Sequence, residues 1–362
     1  MKRRILLPLL PILWSGCDTT MFKTGFDPVE PAVMYEAADI TVAESPEGAL
    51  SVVTYNIKYG GARITFFWEC GERYNMTTDE VMVNMEGLAE IVRTIDPDIL
   101  MLQEVDVESN RSAYVDQVQF LLDNTELNYG AYASQWKSDY IPTDGLGRTD
   151  SGIATLAKWR LVDAERVALP LQVDQSSLVR YFYLKRAILR AQVEVPGLDN
   201  FWSVNTHLEA FSDDGTKPTQ IGLLVDELMS LEASGATFVA GGDFNSLPPG
   251  SEVLKEFVDE CTDGFAGKGD NYEGEEDFLD GLFDNFSSAM PVDDYAADNA
   301  AWFSFSGDGL EWTRTLDYLF TNTSWVESSG IVYQDVEQGG VETIQWSDHA
   351  PIYGELELEV GQ

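Results

Sequence analysis

The sequence predicts an α+β fold in which two mixed β-sheets pack face to face with helices outside them. Three observations predict it. From residue 49 onward, strand-like and helix-like patterns alternate without a long break. The strands read as nearly continuous apolar runs, as expected when one face meets a second sheet and the other meets helices. Polar residues recur where those runs end. A chain of 362 residues suits one large sandwich, and 44% hydrophobic content supplies its core.

The elements follow in order. Leu50 to Asn56 is a compact β-branched strand closing on a polar residue. Residues 79–95 suit a helix with Met85, Leu88, Val92 and Ile95 on one face and Pro97 beyond its end. Asp98 to Leu102 reads as a buried strand, with Gln103 and Glu104 at its end, and residues 111–123 read as a helix. Strands are expected at 151–157, 165–169, 186–195 and 200–206. Residues 217–232 give the clearest helix, with Ile221, Leu224, Val225, Leu228 and Leu231 together and Pro218 in the first turn. Ala236 to Gly241 is a buried strand leading into Asp243-Phe244-Asn245, followed by a helix at 250–260 and strands at 316–320, 329–334 and 351–358. Two insertions interrupt the pattern. Residues 60–78 carry Phe66, Phe67, Trp68 and Tyr74, read as core or strand cover, with a membrane-interface loop as the alternative. Residues 263–300 are acidic and glycine-rich, lack the ligand spacing of an EF-hand, and read as a solvated loop.

The N-terminus reads as a targeting segment. Lys2, Arg3 and Arg4 precede a short apolar run from Ile5 to Trp14, too short to span a bilayer as a mature helix. Ser15-Gly16-Cys17 resembles a bacterial lipobox, although Trp14 stands where Leu is usual. The expected organisation is therefore a signal peptide over 1–16, a lipidated tether over 17–48 starting at Cys17, and a folded domain over 49–362. An ordinary cleaved signal peptide is the alternative. The lipobox reading implies a lipid-anchored, extracytoplasmic protein of the bacterial envelope, expected as a monomer. In that compartment Cys70 and Cys261 either pair or remain free thiols.

Charge narrows the function. With 62 Asp and Glu against 22 Lys and Arg, the net charge of −40 excludes a broad basic nucleic-acid footprint. It leaves room for phosphate binding at one cation-filled cleft.

The strand ends carry the chemistry. Asn56, Glu104, His207, Asp243 with Asn245, and Asp348-His349 each stand where an apolar run begins or ends, so strands in a shared core would bring them to one rim. The chain has only two histidines, His207 and His349, and both lie in these clusters. Imidazole suits both the base that activates water and the acid that protonates a leaving oxygen near neutral pH.

Thr54-Tyr55-Asn56-Ile57, Gln103-Glu104, Asn205-Thr206-His207-Leu208, Gly242-Asp243-Phe244-Asn245, Asp317-Tyr318 and Ser347-Asp348-His349 resemble, in order, the signature of the endonuclease/exonuclease/phosphatase superfamily. The resemblance covers about residues 49–360 and implies a four-layer α/β/β/α sandwich. It also implies a metal-dependent phosphoesterase with Glu104, Asn56 and Asp348 at a metal site. Hard oxygen donors favour Mg²⁺ or Mn²⁺ there. His349 would be the general base oriented by Asp317. His207 would face the phosphate or leaving group, and Asp243 with Asn245 would position the nucleophile. Arg186, Arg148 and Asn205 are the expected substrate contacts, and Arg314 is a further basic candidate near Asp317. The expected substrate is a phosphodiester, in nucleic acid or a phospholipid head group. The alternatives are an inositol-phosphate phosphomonoesterase and a non-catalytic surface-binding lipoprotein.

Overall fold

Strands and helices take the places their side-chain periods dictate. A computed structural model describes residues 25–69, 71–141, 146–210, 214–251, 272, 274–307, 309–336 and 342–358. The first part of the chain contains β1 (Val29–Pro31), β2 (Val33–Glu36), β3 (Ala49–Asn56), α1 (Thr78–Ile95), β4 (Ile99–Asp106) and α2 (Gln117–Asp123). Next come β5 (Tyr129–Ile141), β6 (Gly147–Ala157), β7 (Leu161–Ala168), α3 (Ser177–Phe182), β8 (Ala187–Val193) and β9 (Phe201–His207). α4 (Thr216–Ala233), β10 (Thr237–Asp243), α5 (Asp280–Asn285), β11 (Ser287–Ser288), α6 (Val292–Ala297), β12 (Asp317–Thr321), β13 (Ile331–Val332) and β14 (Ile352–Glu357) complete it.

These strands form two seven-stranded mixed sheets. One runs β13-β14-β3-β4-β6-β5-β2 and the other β1-β7-β8-β9-β10-β12-β11. Each contains one parallel pair, β3 with β4 and β9 with β10. Parallel neighbours need a long crossover, supplied by α1 in one sheet and α4 in the other. Both crossovers deliver their two strands to the same end of the molecule, where the polar termini gather.

Three apolar clusters fill the spaces between four layers. Alternation along β3 sends Val53 and Tyr55 toward Met85, Leu88 and Val92 of α1, while Leu50 and Val52 point into the space between the sheets. β4 divides likewise, with Leu100 and Leu102 outward and Ile99 and Met101 inward. The inward residues meet Leu189, Phe201, Val239 and Leu319 of the second sheet. On that sheet's far side, Ile221, Leu224 and Leu228 of α4 cover Val204, Phe238 and Phe320. Each fully buried aliphatic side chain contributes about 1.5–3 kcal/mol, so all three interfaces are needed.

α1 starts where the sequence signals it. Glu80 N–H donates to Thr77 Oγ1 at 3.3 Å and Thr77 N–H donates to Glu80 Oε2 at 2.8 Å, a reciprocal cap. The helix ends at Asp96, which takes a left-handed conformation with φ 49°.

Several expectations need correction. The proposed tether is folded over part of its length: Val29–Pro31 pairs with β7 and Val33–Glu36 with β5. These strands add to the edges of the two sheets and are exposed on most positions, so they lack the apolar alternation that marks a strand. The helix expected over 111–123 is α2 alone, preceded by a 3-10 turn at Asn110–Ser112. β5 was not expected at all. The acidic insertion is ordered where described, as α5, β11 and α6 bury Leu282, Phe286, Met290 and Tyr295. The aromatic insertion is strand cover, with Phe66 fully buried and Trp68 stacked on it at 4.8 Å. The helix expected over 250–260 lies almost wholly outside the described residues, as do Cys17, Cys70 and Cys261.

Candidate active site

The strand ends converge. Asn56 closes β3 and pairs in register with Gln103 of β4, and His207 closes β9 opposite Asp243, the last residue of β10. Asp243 in turn pairs with Asp317, the first residue of β12. Asp348 and His349 precede β14, which lies against β3.

Local backbone irregularities aim these groups. The register between β4 and β6 shifts between Leu102 and Val105, so Gln103 and Glu104 together oppose one partner residue. Glu104 takes φ 55°, a left-handed conformation uncommon outside glycine. The bulge keeps Gln103 facing the core and turns Glu104 to the cleft. At Gly242, φ is 146° and a Cβ would lie 1.9 Å from the carbonyl oxygen of Thr206, so only glycine lets β10 approach β9 there.

Asp243 sits at the centre of the cleft. Its Oδ2 accepts from Asn56 Nδ2 at 3.0 Å and lies 3.3 Å from His207 Nε2 and 3.6 Å from His349 Nε2. Its Oδ1 accepts from the backbone N–H of Asn245 at 3.0 Å. Asn245, at φ 50°, donates its side-chain amide to the carbonyl of Leu208 at 3.1 Å. Behind His349, Nδ1 lies 2.7 Å from Asp317 Oδ2, which also accepts from Ser304 Oγ at 2.7 Å. Ser304 Oγ accepts in return from Asp317 N–H at 3.2 Å. Ser347 Oγ donates to the carbonyl of Asn56 at 2.8 Å and receives His349 N–H at 3.2 Å, tying the β14 approach to the end of β3.

The two imidazoles are driven apart in charge. Burial alone would lower His349, but the carboxylates of Asp317 and Asp243 outweigh it and raise the ring to about 10. His207 is held well below its usual value by burial, then by Arg186 and by His349. Burial raises Asp243, and the neighbouring Asp317 adds to the shift. The carboxylates therefore favour the protonated ring at His349 and burial favours the neutral ring at His207, on either side of one carboxylate.

Glu104 and Asp348 lie beside this group. Desolvation raises Glu104, and the charge of Asp348 adds to the shift. Desolvation would raise Asp348 too, but Lys58, followed by His349, overcomes it and keeps Asp348 below the usual range. Lys58 Nζ lies 3.3 Å from Asp348 Oδ2 and 2.8 Å from Glu69 Oε1. Among the described residues Glu104 has one weak hydrogen bond, from Asn56 Nδ2 at 3.4 Å. A desolvated carboxylate with so little compensation, next to a second carboxylate and an amide oxygen, is a donor set that fits a hard divalent cation. Asp243, Asp317 and His349 form a second group whose donor atoms lie within 4.8 Å of one another. There, however, Asp317 and His349 already satisfy each other.

Over residues 53–349 the chain matches the sequence model of the Endonuclease/Exonuclease/phosphatase family. The chain belongs to the endonuclease/exonuclease/phosphatase family. Members of this family hydrolyse phosphoester bonds and depend on divalent metal ions. Solved structures share the fold at low identity. An endonuclease/exonuclease/phosphatase from Beutenbergia cavernae is 17% identical with a TM-score of 0.55, over 86% of this chain and 72% of that one. One from Bacteroides vulgatus is 16% identical with a TM-score of 0.53, over 86% and 100%. The human Nocturnin catalytic domain, solved with a bound sulfate anion, is 16% identical with a TM-score of 0.50, over 86% and 95%. No curated protein matches the chain.

The residues expected to contact substrate take different positions: Arg186 is buried, Arg148 is exposed, and Asn205 lies between the sheets. Arg186 is buried near His207 and Glu104. Arg148 is exposed and pairs with Glu108 at the surface. Asn205 faces the space between the sheets. Its amide donates to the carbonyls of Leu102 at 3.0 Å and Ala154 at 2.8 Å, and its Oδ1 accepts from Gln103 Nε2 at 2.8 Å. With its amide hydrogens and oxygen engaged, it bolts the sheets together beneath the cleft and supports its floor. Arg314 is buried and stacks on Phe305 at 4.6 Å, and that ring meets His349 edge-on. Sequence reasoning missed the roles of Lys58, Ser304 and Ser347. Ser347 adjoins Asp348-His349 and Lys58 follows Asn56 by two, which is the only signal they give.

Proposed function

We propose that this protein is a metal-dependent phosphodiesterase in which His349 takes a proton from water and His207 hydrogen-bonds the phosphoryl or leaving oxygen. The observation that carries the reading is the His349–Asp317 pair at 2.7 Å with both imidazoles against Asp243. In the neutral, proton-accepting ring Asp317 fixes the Nδ1–H tautomer, leaving His349 Nε2 toward the cleft, and Ser304 fixes Asp317. Asp243 and Asn245 hold the water and a non-bridging oxygen. Arg186 supplies charge to the phosphate. Glu104, Asn56 and Asp348 would hold Mg²⁺ or Mn²⁺, which when bound neutralises charge on phosphoryl and leaving oxygens.

Surviving acid, base and acidic donor groups weigh against a binding-only role. The net charge of −40 weighs against polyphosphorylated inositols and extended nucleic acid, leaving phospholipid head groups as the favoured substrate. The course of the chain supports this choice. β1 runs antiparallel to β7, and Ala168 N–H donates to the Pro28 carbonyl at 2.8 Å beside the Ala187 pair. The described chain thus begins at the same end as the cleft. If Cys17 carries lipid, the stretch to Gly25 reaches at most about 29 Å at ~3.6 Å per residue, which would keep the cleft close to the envelope membrane.

The test is hydrolysis by the purified protein of phosphatidylcholine, phosphatidylethanolamine, plasmid DNA, RNA and inositol phosphates, with Mg²⁺ or Mn²⁺ and with EDTA. Metal-dependent release of phosphorylated head groups is expected. Metal-dependent cleavage of DNA alone would overturn the lipid assignment, and inertness toward every phosphodiester would overturn the enzyme. Mass spectrometry of the N-terminal peptide tests the lipid on Cys17.

A further inference from the structure

Beyond the reacting groups, a buried carboxylate just past the end of β9 has an oxygen without a hydrogen-bond partner among the described residues. Glu209 lies two residues past His207, is 2% exposed, and its Oε1 has no hydrogen-bond partner. Its backbone is fixed, since Glu209 N–H donates to Gln220 Oε1 at 2.9 Å. The main chain is therefore fixed there, and the carboxylate keeps unused acceptor capacity.

The neighbouring strand brings up the opposite charge. Arg186 immediately precedes β8, and its Nη1 reaches Gln135 Oε1 at 3.5 Å while Gln135 Nε2 donates to the His207 carbonyl at 3.3 Å, which sets the guanidinium beside the end of β9. Arg186 is 5% exposed, and among the described residues its Nε has no partner and its Nη1 reaches only Gln135 Oε1. Both side chains act on the Tyr183 hydroxyl, whose pKa is raised by burial and then by Glu209, and lowered by Arg186. Arg186 and Glu209 thus flank one small region, yet neither belongs to an ion pair among the described residues. An unpaired buried charge costs several kcal/mol, and two opposite ones held apart remain available to a ligand placed between them.

We propose that Arg186 and Glu209 form a bipolar subsite that selects phosphodiesters whose alcohol carries a hydroxyl or ammonium N–H close to the ester oxygen. Arg186 takes a phosphoryl oxygen and Glu209 accepts from the donor. A donorless alcohol leaves the carboxylate desolvated and unpaired, and a second phosphate meets it as a like charge. The inference rests on the phosphodiesterase reading and narrows its substrate class.

The experiment compares kcat/KM of the full chain, with Mg²⁺, for p-nitrophenyl esters of phosphoethanolamine and phosphocholine. These share net charge and leaving group and differ in having or lacking N–H donors. Wild type is expected to prefer the ethanolamine ester by at least about tenfold, as buried sites built for a donor reject analogues without it. Glu209→Ala should bring the ratio close to one, and Glu209→Gln, which keeps an acceptor, should retain part of the preference. A wild-type ratio near one overturns the subsite, as does a Glu209→Ala variant that loses rate on both esters with the ratio unchanged. If neither ester nor bis(p-nitrophenyl) phosphate is hydrolysed, the phosphodiesterase reading fails. The subsite is then decided by calorimetric binding of phosphoethanolamine against phosphocholine, where equal affinity overturns it.

Discussion

The Nδ1 of His349 lies 2.7 Å from Oδ2 of Asp317, and the two residues come from segments that meet only in the folded sandwich. Asp317 opens β12 in one sheet, whereas His349 leads into β14 of the other. Alignment of the base thus depends on how the sheets pack. His349→Ala should lower kcat by about 10²–10⁴-fold, the usual worth of a positioned proton acceptor. Asp317→Asn should lower kcat more than it raises KM, because the ring stays in place but loses the partner that fixes its tautomer. Steady-state kinetics with circular dichroism as a folding control measures both, and normal turnover in His349→Ala would remove it as the base.

Glu104 makes the metal assignment testable without turnover. A ligand that binds only the native state raises stability by RT ln(1 + [L]/Kd), about 2.7 kcal/mol at a hundredfold excess over Kd. Millimolar Mg²⁺ or Mn²⁺ should therefore raise the Tm of wild type, and EDTA should reverse the shift. Glu104→Gln keeps the shape but removes the charge, and should abolish the shift. If Glu104→Gln retains it while Asp317→Asn loses it, the ion is held by Asp243, Asp317 and His349 instead.

Asn205 should behave as a structural residue despite standing two positions from His207. Its replacement by Ala leaves the carbonyls of Leu102 and Ala154 without their amide donor inside the core. A buried group left unsatisfied costs ~1–3 kcal/mol, so the loss should be roughly 2–5 kcal/mol in chemical denaturation. A direct substrate contact predicts the reverse, a raised KM at unchanged stability.

What the sequence displayed and what it hid follow one physical division. Residues that end apolar strands are visible because the change from core to solvent is written along the chain, as at Tyr55-Asn56 and Thr206-His207. The layers were legible for the same reason, since Leu100 and Met101 are apolar on both faces. β1 and β2 gave no such signal, because edge strands bury little and need no alternation. Asn205 misled because sequence order cannot distinguish a polar side chain in the cleft from one facing the partner sheet. The supports at Ser304 and Lys58 were hidden because each acts on a residue distant in sequence, Asp317 or Asp348.

The cap of α1 gives a pH dependence with a defined sign. Arg73, with the backbone and hydroxyl of Thr77, lowers Glu80 from 4.5 to about 2. Because the folded value lies below the unfolded one, the contribution is complete above about pH 4.5 and fades as pH falls toward 2. Thr77→Ala should cost about 1 kcal/mol at neutral pH. Glu80→Gln should flatten part of the acid limb. Urea midpoints between pH 2 and 6 read both effects, and a parallel loss in wild type and Glu80→Gln would show that other carboxylates dominate.

Gly87 offers the sharpest link between packing and chemistry. In an exposed helix Gly→Ala stabilises by about 0.8–1 kcal/mol through backbone entropy. In α1, however, a Cβ at Gly87 would stand 2.3 Å from the Trp346 indole, and Trp346 immediately precedes Ser347, Asp348 and His349. Overpacking typically costs 1–3 kcal/mol, which exceeds the gain in helix propensity. Gly87→Ala should therefore destabilise the protein, and the displaced indole should carry Ser347 off the Asn56 carbonyl and disturb His349. The expected signature is a fall in kcat together with a shift in tryptophan fluorescence. Trp346→Ala, which vacates the space, should make the added methyl tolerable, so that Gly87→Ala costs less in that background than alone. Additive losses in the double variant would mean that the two sites do not couple through this contact.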